Sequence, residues 1–493
     1  MAESYDVIVV GGGTAGCVAA TRLSEDPARR VLLLEAGPDP DPLPELVADP
    51  LLQTRLLLES PYLEMYETER RADGSTFHAL VGRIMGGGSS VNVMAAPRPW
   101  QVDLDGWGPE WSYAAVLPVL KRIESDQDFP DSPIHGTDGP LYIKRPFLLD
   151  EPAAEPVAAF IQRAVDMGLP RCPDLNGPAP FGVCASPYNI KDGRRQSVTV
   201  AYLNAARSRP NLSILAEAPA LKLDVVGGRV ERVVYQTQGQ THTAAADQVV
   251  LSAGALRSPQ LLMLSGLGPP NELRRLGIAV AQPLDGVGDN HQDHAVVYMT
   301  YEGRESFRPE WVVPRFRLVY QSEASRGVPD FHIMMRPPTL LPGMAPLMPI
   351  SLHLLEQRNR GRVCLRSRDP FELPVLEANL LEDPGDVAAM TSAMRFVHAL
   401  TQHASLADYY GPLIQPGPVE DWAGFAQTTL NSYHHSAGTC AMGSVVDPQL
   451  RVYGVDNLRV ADASVMPRLV HANTNLTCIL IGERVAELIA RGA

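Results

Sequence analysis

Tyr5-Asp6-Val7-Ile8-Val9-Val10-Gly11-Gly12-Gly13-Thr14-Ala15-Gly16 is a short apolar run that ends in glycines and gives way to a helical stretch through Leu23. Such a run suits a strand buried on both faces of a parallel sheet. Gly11, Gly13 and Gly16 stand in the spacing Gly-x-Gly-x-x-Gly, where glycine permits a tight turn, close approach of the backbone to a pyrophosphate, and packing of helix on strand. The helix N-terminus offers unpaired N–H groups and partial positive charge to phosphates. A second apolar run, Val31-Leu32-Leu33-Leu34, closes on Glu35, an acid placed to accept hydrogen bonds from adenosine ribose hydroxyls. Strand, turn, helix, strand and acid together predict a dinucleotide site; a glycine-rich turn without these flanks would be only a turn. The motif does not separate FAD from NAD.

Outward from this unit, Leu221 to Leu251 reads as a β meander with Gly227-Gly228 as a hairpin turn. The stretches 146–190 and 295–429 are poorer in motifs and richer in proline, with strand-like pieces (Phe331 to Met335) alternating with helical ones (Val387 to His403). The chain then returns to an apolar strand at Leu458-Arg459-Val460 and a long apolar helix from Asn475 to Ala490. The expected architecture is α/β: a Rossmann-like dinucleotide-binding domain from 1–145, 191–294 and 430–493, interleaved with an α+β substrate-binding domain from 146–190 and 295–429.

The 493 residues are 45% hydrophobic and 20% charged, the profile of a globular protein with a sizeable core. Its formal charge of −14, from 42 basic and 56 acidic residues without a basic stripe, argues against a nucleic-acid partner. No stretch approaches the ~18 apolar residues of a membrane span. Met1-Ala2-Glu3-Ser4-Tyr5 lacks a basic region followed by an apolar run, so no signal peptide is expected. Six scattered cysteines suggest neither a disulfide framework nor a zinc site, and a reducing cytoplasm is the simplest location.

Further blocks carry a resemblance. Gly82-Arg83-Ile84-Met85-Gly86-Gly87-Gly88-Ser89-Ser90-Val91-Asn92 and the run from Gly254 to Gly268 are similar to the two signatures of the glucose–methanol–choline (GMC) oxidoreductases. Trp111-Ser112-Tyr113, His135-Gly136-Thr137-Asp138-Gly139-Pro140, His435-Ser436-Ala437-Gly438-Thr439-Cys440, Arg459 to Ser464 and Asn473-Thr474-Asn475 follow in the family's order. Within the family the chain looks closest to the bacterial branch of hydroxymethylfurfural oxidase and choline oxidase. The resemblance implies FAD as cofactor, contacted by Gly11, Gly13, Thr14, Ala15, Gly16, Glu35, Ala36, Arg83, Met85, Gly87, Ser90, Asn92, Val93, Met94, Ala95, Ala220, Ala253, Asp462, Ala463, Asn473 and Thr474. Relatives with covalent flavin carry a histidine just before the asparagine; Val91 stands here, so the flavin is expected to be non-covalent.

The implied reaction is oxidation of an alcohol to an aldehyde or ketone by proton abstraction and hydride transfer to flavin N5, with oxygen or another electron acceptor closing the cycle. A dehydrogenase with a non-oxygen acceptor and a hydroxynitrile-lyase-type flavoprotein are the alternatives. Such chemistry needs a base and a donor to the developing alkoxide. By motif position these are His435, three and four residues before Gly438 and Thr439, and Asn475. Tyr433 and His434 are expected at the substrate pocket, and Tyr433 stands where some oxidases carry a small aliphatic residue. His471 either reaches the pocket rim or lies at the surface. His291-Gln292-Asp293-His294 has the residue types of a metal site but the position of a flavin-domain turn, and no metal is expected. Pro337 to Met348, rich in Pro, Leu and Met, hints at an apolar lid.

Overall fold

The opening apolar run forms the strand Glu3–Val10 in the computed structural model of the chain, which describes residues 3–70, 74–151, 155–304, 316–340, 343–417 and 421–492. This strand runs parallel to Val31–Leu34 on one side and to Gln240–Leu251 on the other. Val7, Ile8, Val9 and Val10 are all buried, which is why the run shows no polar alternation. Leu212–Leu215 extends the sheet beyond Val31–Leu34, and the meander Ala220–Val226, Arg229–Thr237 and Gln240–Leu251 extends it the other way, turning at Gly227-Gly228. Leu458–Val460 pairs in parallel with Val249 to Leu251, so the end of the chain returns to the first sheet. The helix Thr14–Leu23 follows the first strand so closely that a Cβ on Gly16 would lie 1.9 Å from the Gly11 carbonyl oxygen. The helix Asn475–Ala490 packs beside it.

A second sheet has the spatial order Arg171–Cys172, Gly182–Ala185, Phe316–Tyr320, Phe331–Met335, Leu347–Leu354, Ala295–Gly303 and Tyr410–Gln415. Its pleat sorts side chains by face. Val297, Met299, Leu318, Ile333, Met335, Ile350 and Leu352 share a core with the helices Glu155–Asp166, Pro384–Thr401 and Trp422–Thr429. The intervening positions include polar ones: Arg317, His332, Ser351 and His353 are buried on the other face beside Val296, Val319 and Met334, with His353 opposite both Val296 and His332. That face looks toward the first sheet's C-terminal segment. Of Pro337 to Met348, Leu340 and Met344 are exposed, Met348 is buried, and residues 341–342 lie outside the described residues.

The His135 motif closes a buried ionic network. His135 Nδ1 lies 2.7 Å from Glu124 and its Nε2 2.9 Å from Asp174, while Arg98 binds Glu124 and Arg145 binds Asp126 and Asp174. Burial alone would lower the pKa of His135, but its bonds with Asp174 and Glu124 reverse this and raise it to about 9. Because the folded value lies above the unfolded value of about 6.5, the stabilisation is complete below that pH and is lost as pH rises through about 9. His135→Gln should therefore lower the melting temperature most near pH 6 and least near pH 10. A difference in melting temperature that does not change over this range, followed by circular dichroism, would remove the charged His135 from the network.

Candidate active site

The strand ends, the glycine turn and the polar face of the second sheet enclose a cavity of about 550 Å³. Gly11, Gly13, Thr14, Ala15, Glu35, Ala36 and Ala220 border it near the turn; Arg83, Gly87, Ala253, Asp462 and Ala463 follow; Asn92, Val93, Ala95, Asn473, Thr474 and Asn475 border its inner part with Tyr433, His434 and His435. Four residues expected against the cofactor do not border it. Gly16 serves helix packing instead. Met85 is buried with its sulfur 3.7 Å from that of Cys17, the Ser90 hydroxyl donates to the Met85 carbonyl, and Met94 is buried with its N–H donating to Asn92 Oδ1. These three fix the backbone of the loop rather than its lining. Arg195, which no motif singled out, is the brace of that loop: fully buried, it donates to the carbonyl and Oδ1 of Asn92, to the Val47 carbonyl and to Gln53.

At the catalytic end a chain of hydrogen bonds assigns protons. His294 Nε2 lies 3.0 Å from the Val470 carbonyl, which can only accept, so this nitrogen carries the hydrogen. Burial pushes the pKa of His294 down to about 3, leaving the ring neutral and its Nδ1 bare. His294 Nδ1 is 2.8 Å from His435 Nδ1, and the proton between them must belong to His435. His435 is also held well below the usual histidine range, first by burial and then by His294, so its Nε2 is an unprotonated acceptor. Asn473 Nδ2 lies 3.3 Å from that Nε2 and 3.3 Å from the Tyr433 hydroxyl. The Asn473 amide is oriented by Arg317, whose Nη1 donates to Oδ1 at 3.2 Å. His294 and Arg317 carry no motif that announces this pairing; each is 140 or more residues from its partner.

The asparagine beside His435 is thus Asn473, and the placement of Asn475 differs from the sequence-based expectation. Asn475 is the first residue of the C-terminal helix, and its Oδ1 faces the Thr14 hydroxyl at 3.4 Å. Asn473 stands before the helix and Asn475 opens it, and one of the pair turns to His435 and the other to the glycine turn. His434 sits at a positive φ of 62°, accepts from the Leu80 N–H through Nδ1, and is pushed down to about 4 by burial. His471 is neither at the rim nor at the surface: it is buried, stacked on Trp100 and ion-paired with Asp103. In the 291–294 segment the side chains diverge, His291 to Ser436, Asp293 to Ser432 and the N–H groups of His294 and His435, and His294 to His435.

FAD fits the residues present. A Cβ on Gly13 would meet nothing nearer than the Ser252 carbonyl at 3.8 Å, and one on Gly88 would meet nothing within 4 Å, so bare backbone faces the cavity at both places. Both helices that start in its wall, Thr14–Leu23 and Asn475–Ala490, lack a capping side chain and an acid in the first turn, leaving positive helix ends for an anion. Asn475 Nδ2 is buried with no partner among the described residues. Glu35 accepts from the N–H groups of Gly12 and Gly37 with lone pairs to spare, and burial raises its pKa to about 7. Val91 presents only an aliphatic side chain.

Comparison with known proteins agrees with this geometry. The N- and C-terminal GMC oxidoreductase family models match residues 5–296 and 357–482. The chain is 33% identical to an alcohol dehydrogenase [acceptor] of Pseudomonas putida, over 99% of this chain and 96% of that one, and 34% identical to choline oxidase of Arthrobacter globiformis, over 99% and 94%. The crystal structure of pyridoxine 4-oxidase from Mesorbium loti superposes with a TM-score of 0.92 at 30% identity, covering 99% of each chain. With the family models spanning most of its length and full-length relatives above 30% identity, the chain belongs to the GMC oxidoreductase family.

Proposed function

We propose that this protein oxidises a primary or secondary alcohol, with His435 as the base and Asn473 as the donor to the alcohol oxygen. The observation that carries the reading is the bare Nε2 of His435 facing the Asn473 amide across 3.3 Å at the wall of the FAD-sized cavity. Bound FAD supplies the acceptor for the hydride that leaves the carbinol carbon. The alcohol hydroxyl enters between the two side chains, donating to His435 Nε2 while Asn473 Nδ2 donates to the oxygen. His435 takes the proton as the C–O bond gains double-bond character, and the Asn473 donor strengthens as negative charge builds on oxygen. His294 keeps the proton of His435 on Nδ1, and Arg317 keeps the Asn473 amide from flipping. Asn475 is left to the cofactor, with its unpaired Nδ2 and the helix end behind it.

Hydride removal is common to oxidases and dehydrogenases, and the relatives carry both names. Fast reoxidation in air would mark oxygen as acceptor, and slow reoxidation in air with fast turnover on a quinone would mark a dehydrogenase. A lyase would leave the flavin oxidised under anaerobic alcohol. The six cysteines are all free, which suits the reducing cytoplasm as location, and no helix among the described residues is long and apolar enough to cross a membrane.

For the cofactor, Gly13→Val should give folded but colourless protein, because the new side chain enters the cavity without striking backbone. Gly16→Ala should instead lower the melting temperature, since its Cβ strikes the Gly11 carbonyl. Full FAD content in the Gly13 variant, read from absorbance after heat release, would overturn the phosphate assignment. For catalysis, His435→Ala should slow anaerobic flavin reduction by about 10²–10⁴-fold. Asn473→Ala should slow it by about 10²–10³-fold, the scale of one lost donor to an oxyanion. Asn475→Ala should act mainly on FAD content; a larger loss of reduction rate from Asn475→Ala than from Asn473→Ala in rapid mixing would reverse the assignment. Because His435 titrates well below the usual histidine range, flavin reduction should be independent of pH from about 6 to 9 and fall only in stronger acid. An inflection in the reduction rate near neutrality would contradict the neutral base.

A further inference from the structure

Charge at the substrate end of the cavity is one-sided. Among the described residues three carboxylates border the cavity, and each is engaged: Glu35 by the Gly12 and Gly37 N–H groups, Glu64 by Arg257, and Asp462 by the Gly254 N–H, Ser258 and Ser464. Asp293, behind His435, is saturated by two N–H groups and the Ser432 hydroxyl. Arg336 has no such match. It follows the strand Phe331–Met335 and borders the cavity with Tyr298, Tyr433 and His434. Its backbone N–H bonds the Pro349 carbonyl, but its guanidinium has no hydrogen bond or ion pair among the described residues. Of the other two guanidiniums that border the cavity, Arg257 is held by Glu64 at 2.7 Å and Arg83 lies within electrostatic reach of Glu35.

A second uncompensated cation stands behind the first. Arg317 is 1% exposed, and its partners Ser186, His332 and Asn473 are all uncharged. The neighbouring imidazoles show the resulting field. His332 and His353 are driven well below the ordinary range by burial, with Arg317 adding to both and Arg336 to His353. Two guanidiniums and a set of neutral rings thus make a positive well with an open, bidentate donor, Arg336, in its wall.

We propose that the alcohol taken by this site carries an anionic oxygen group, a carboxylate or a phosphate monoester, which Arg336 binds while the carbinol faces His435 and Asn473. The proposal rests on the alcohol-oxidation reading above and adds the class of substrate. A planar guanidinium meets a carboxylate or phosphate through two parallel N–H donors. A cationic alcohol would meet Arg336 with no carboxylate free to receive it.

The test uses holoenzyme, anaerobic rapid mixing and four alcohols: benzyl alcohol, 4-(hydroxymethyl)benzoate, 4-(hydroxymethyl)phenyl phosphate and 4-(hydroxymethyl)-N,N,N-trimethylanilinium. The ratio of flavin-reduction efficiency for the better anion over benzyl alcohol should be about 10- to 100-fold, the scale of a charge-assisted bond. The trimethylanilinium should fall below benzyl alcohol, and whichever anion leads identifies the group. In Arg336→Gln the ratio should collapse toward one, and Arg336→Lys should keep part of it. Equal efficiency of neutral and anionic alcohols in the unaltered protein, or an anion preference that survives in Arg336→Gln, would overturn the proposal. Titration with 4-(hydroxymethyl)benzoate, read by the flavin spectrum, keeps the two readings apart. Binding that Arg336→Gln abolishes, without flavin reduction by any alcohol, would sink alcohol oxidation and leave the anion site standing. Reduction by benzyl alcohol without binding of either anion would sink the anion site alone.

Discussion

Everything at the active site depends on how closely the first and last helices of the chain approach. A Cβ on Gly482 would lie 2.6 Å from the Ala15 carbonyl and 2.9 Å from Val18, so only glycine lets the C-terminal helix settle there. Glu483, the next residue, is 1% exposed and binds Arg22 of the first helix at 2.9 Å, Tyr202 at 3.1 Å and Arg122 at 3.0 Å. A buried carboxylate with this many donors is costly to leave unpaired, which sets the register of one helix on the other. The consequence appears at the opposite end of the pair. Thr14 and Asn475, 461 positions apart, come within 3.4 Å, and two uncapped helix starts open on the same cavity. The glycine turn and the segment that carries Asn473 are thereby parts of one wall.

Burial supplies the second ingredient, a histidine, His435, that is neutral without a carboxylate behind it. In many proton-abstracting sites a histidine is oriented by an acid, which also raises its pKa. Here the orienting group is a second histidine, itself fixed by the Val470 carbonyl, and no carboxylate among the described residues bonds the ring of His435. Asp293, the acid next to His294 in sequence, spends its oxygens on backbone N–H groups and Ser432, and burial lifts its pKa to about 6. Its work is to hold the backbone from which His435 projects. Neutrality of the base and rigidity of its backbone therefore come from different residues of one turn.

How much of this could be read along the chain follows from the range of each interaction. The glycine spacing, the apolar strands and the meander are local patterns, and they appear where the periodicity puts them: the strand Phe331–Met335 and the helix Asn475–Ala490 stand where they are expected. His435 and its cavity position were equally legible, because the motif around it is contiguous. What failed was orientation. Asn473 and Asn475 are the same residue type two positions apart, and only the start of the helix between them decides which faces His435. His471 was misplaced because Asp103, its partner, lies 368 residues away. Arg195 and Arg317 were invisible as site residues for the same reason, since a lone arginine has no spacing to read, and His294 was read only as part of a flavin-domain turn because its partner His435 lies 141 residues away.

The polar face of the second sheet explains why the two halves of the protein are bound to each other through the active site. Arg317, His332, Ser351 and His353 are buried on one side of a sheet whose other side is wholly apolar. Left against an apolar surface, such groups would cost several kilocalories per mole in lost hydration. The segment 433–473 answers them: Asn473 takes a bond from Arg317, Tyr433 packs on His353 at 4.0 Å between ring centroids, and Val470 and His435 engage His294 at the edge of the sheet. The side chains that orient His435 and Asn473 are thus also the ones that make the inter-sheet contact tolerable. The match is incomplete, since His332 Nε2 and His353 Nδ1 have no partner among the described residues. Apolar packing could have joined the two sheets more stably; a polar seam that protein atoms only partly satisfy favours a polar ligand within it, and it is there that His435 presents its bare nitrogen.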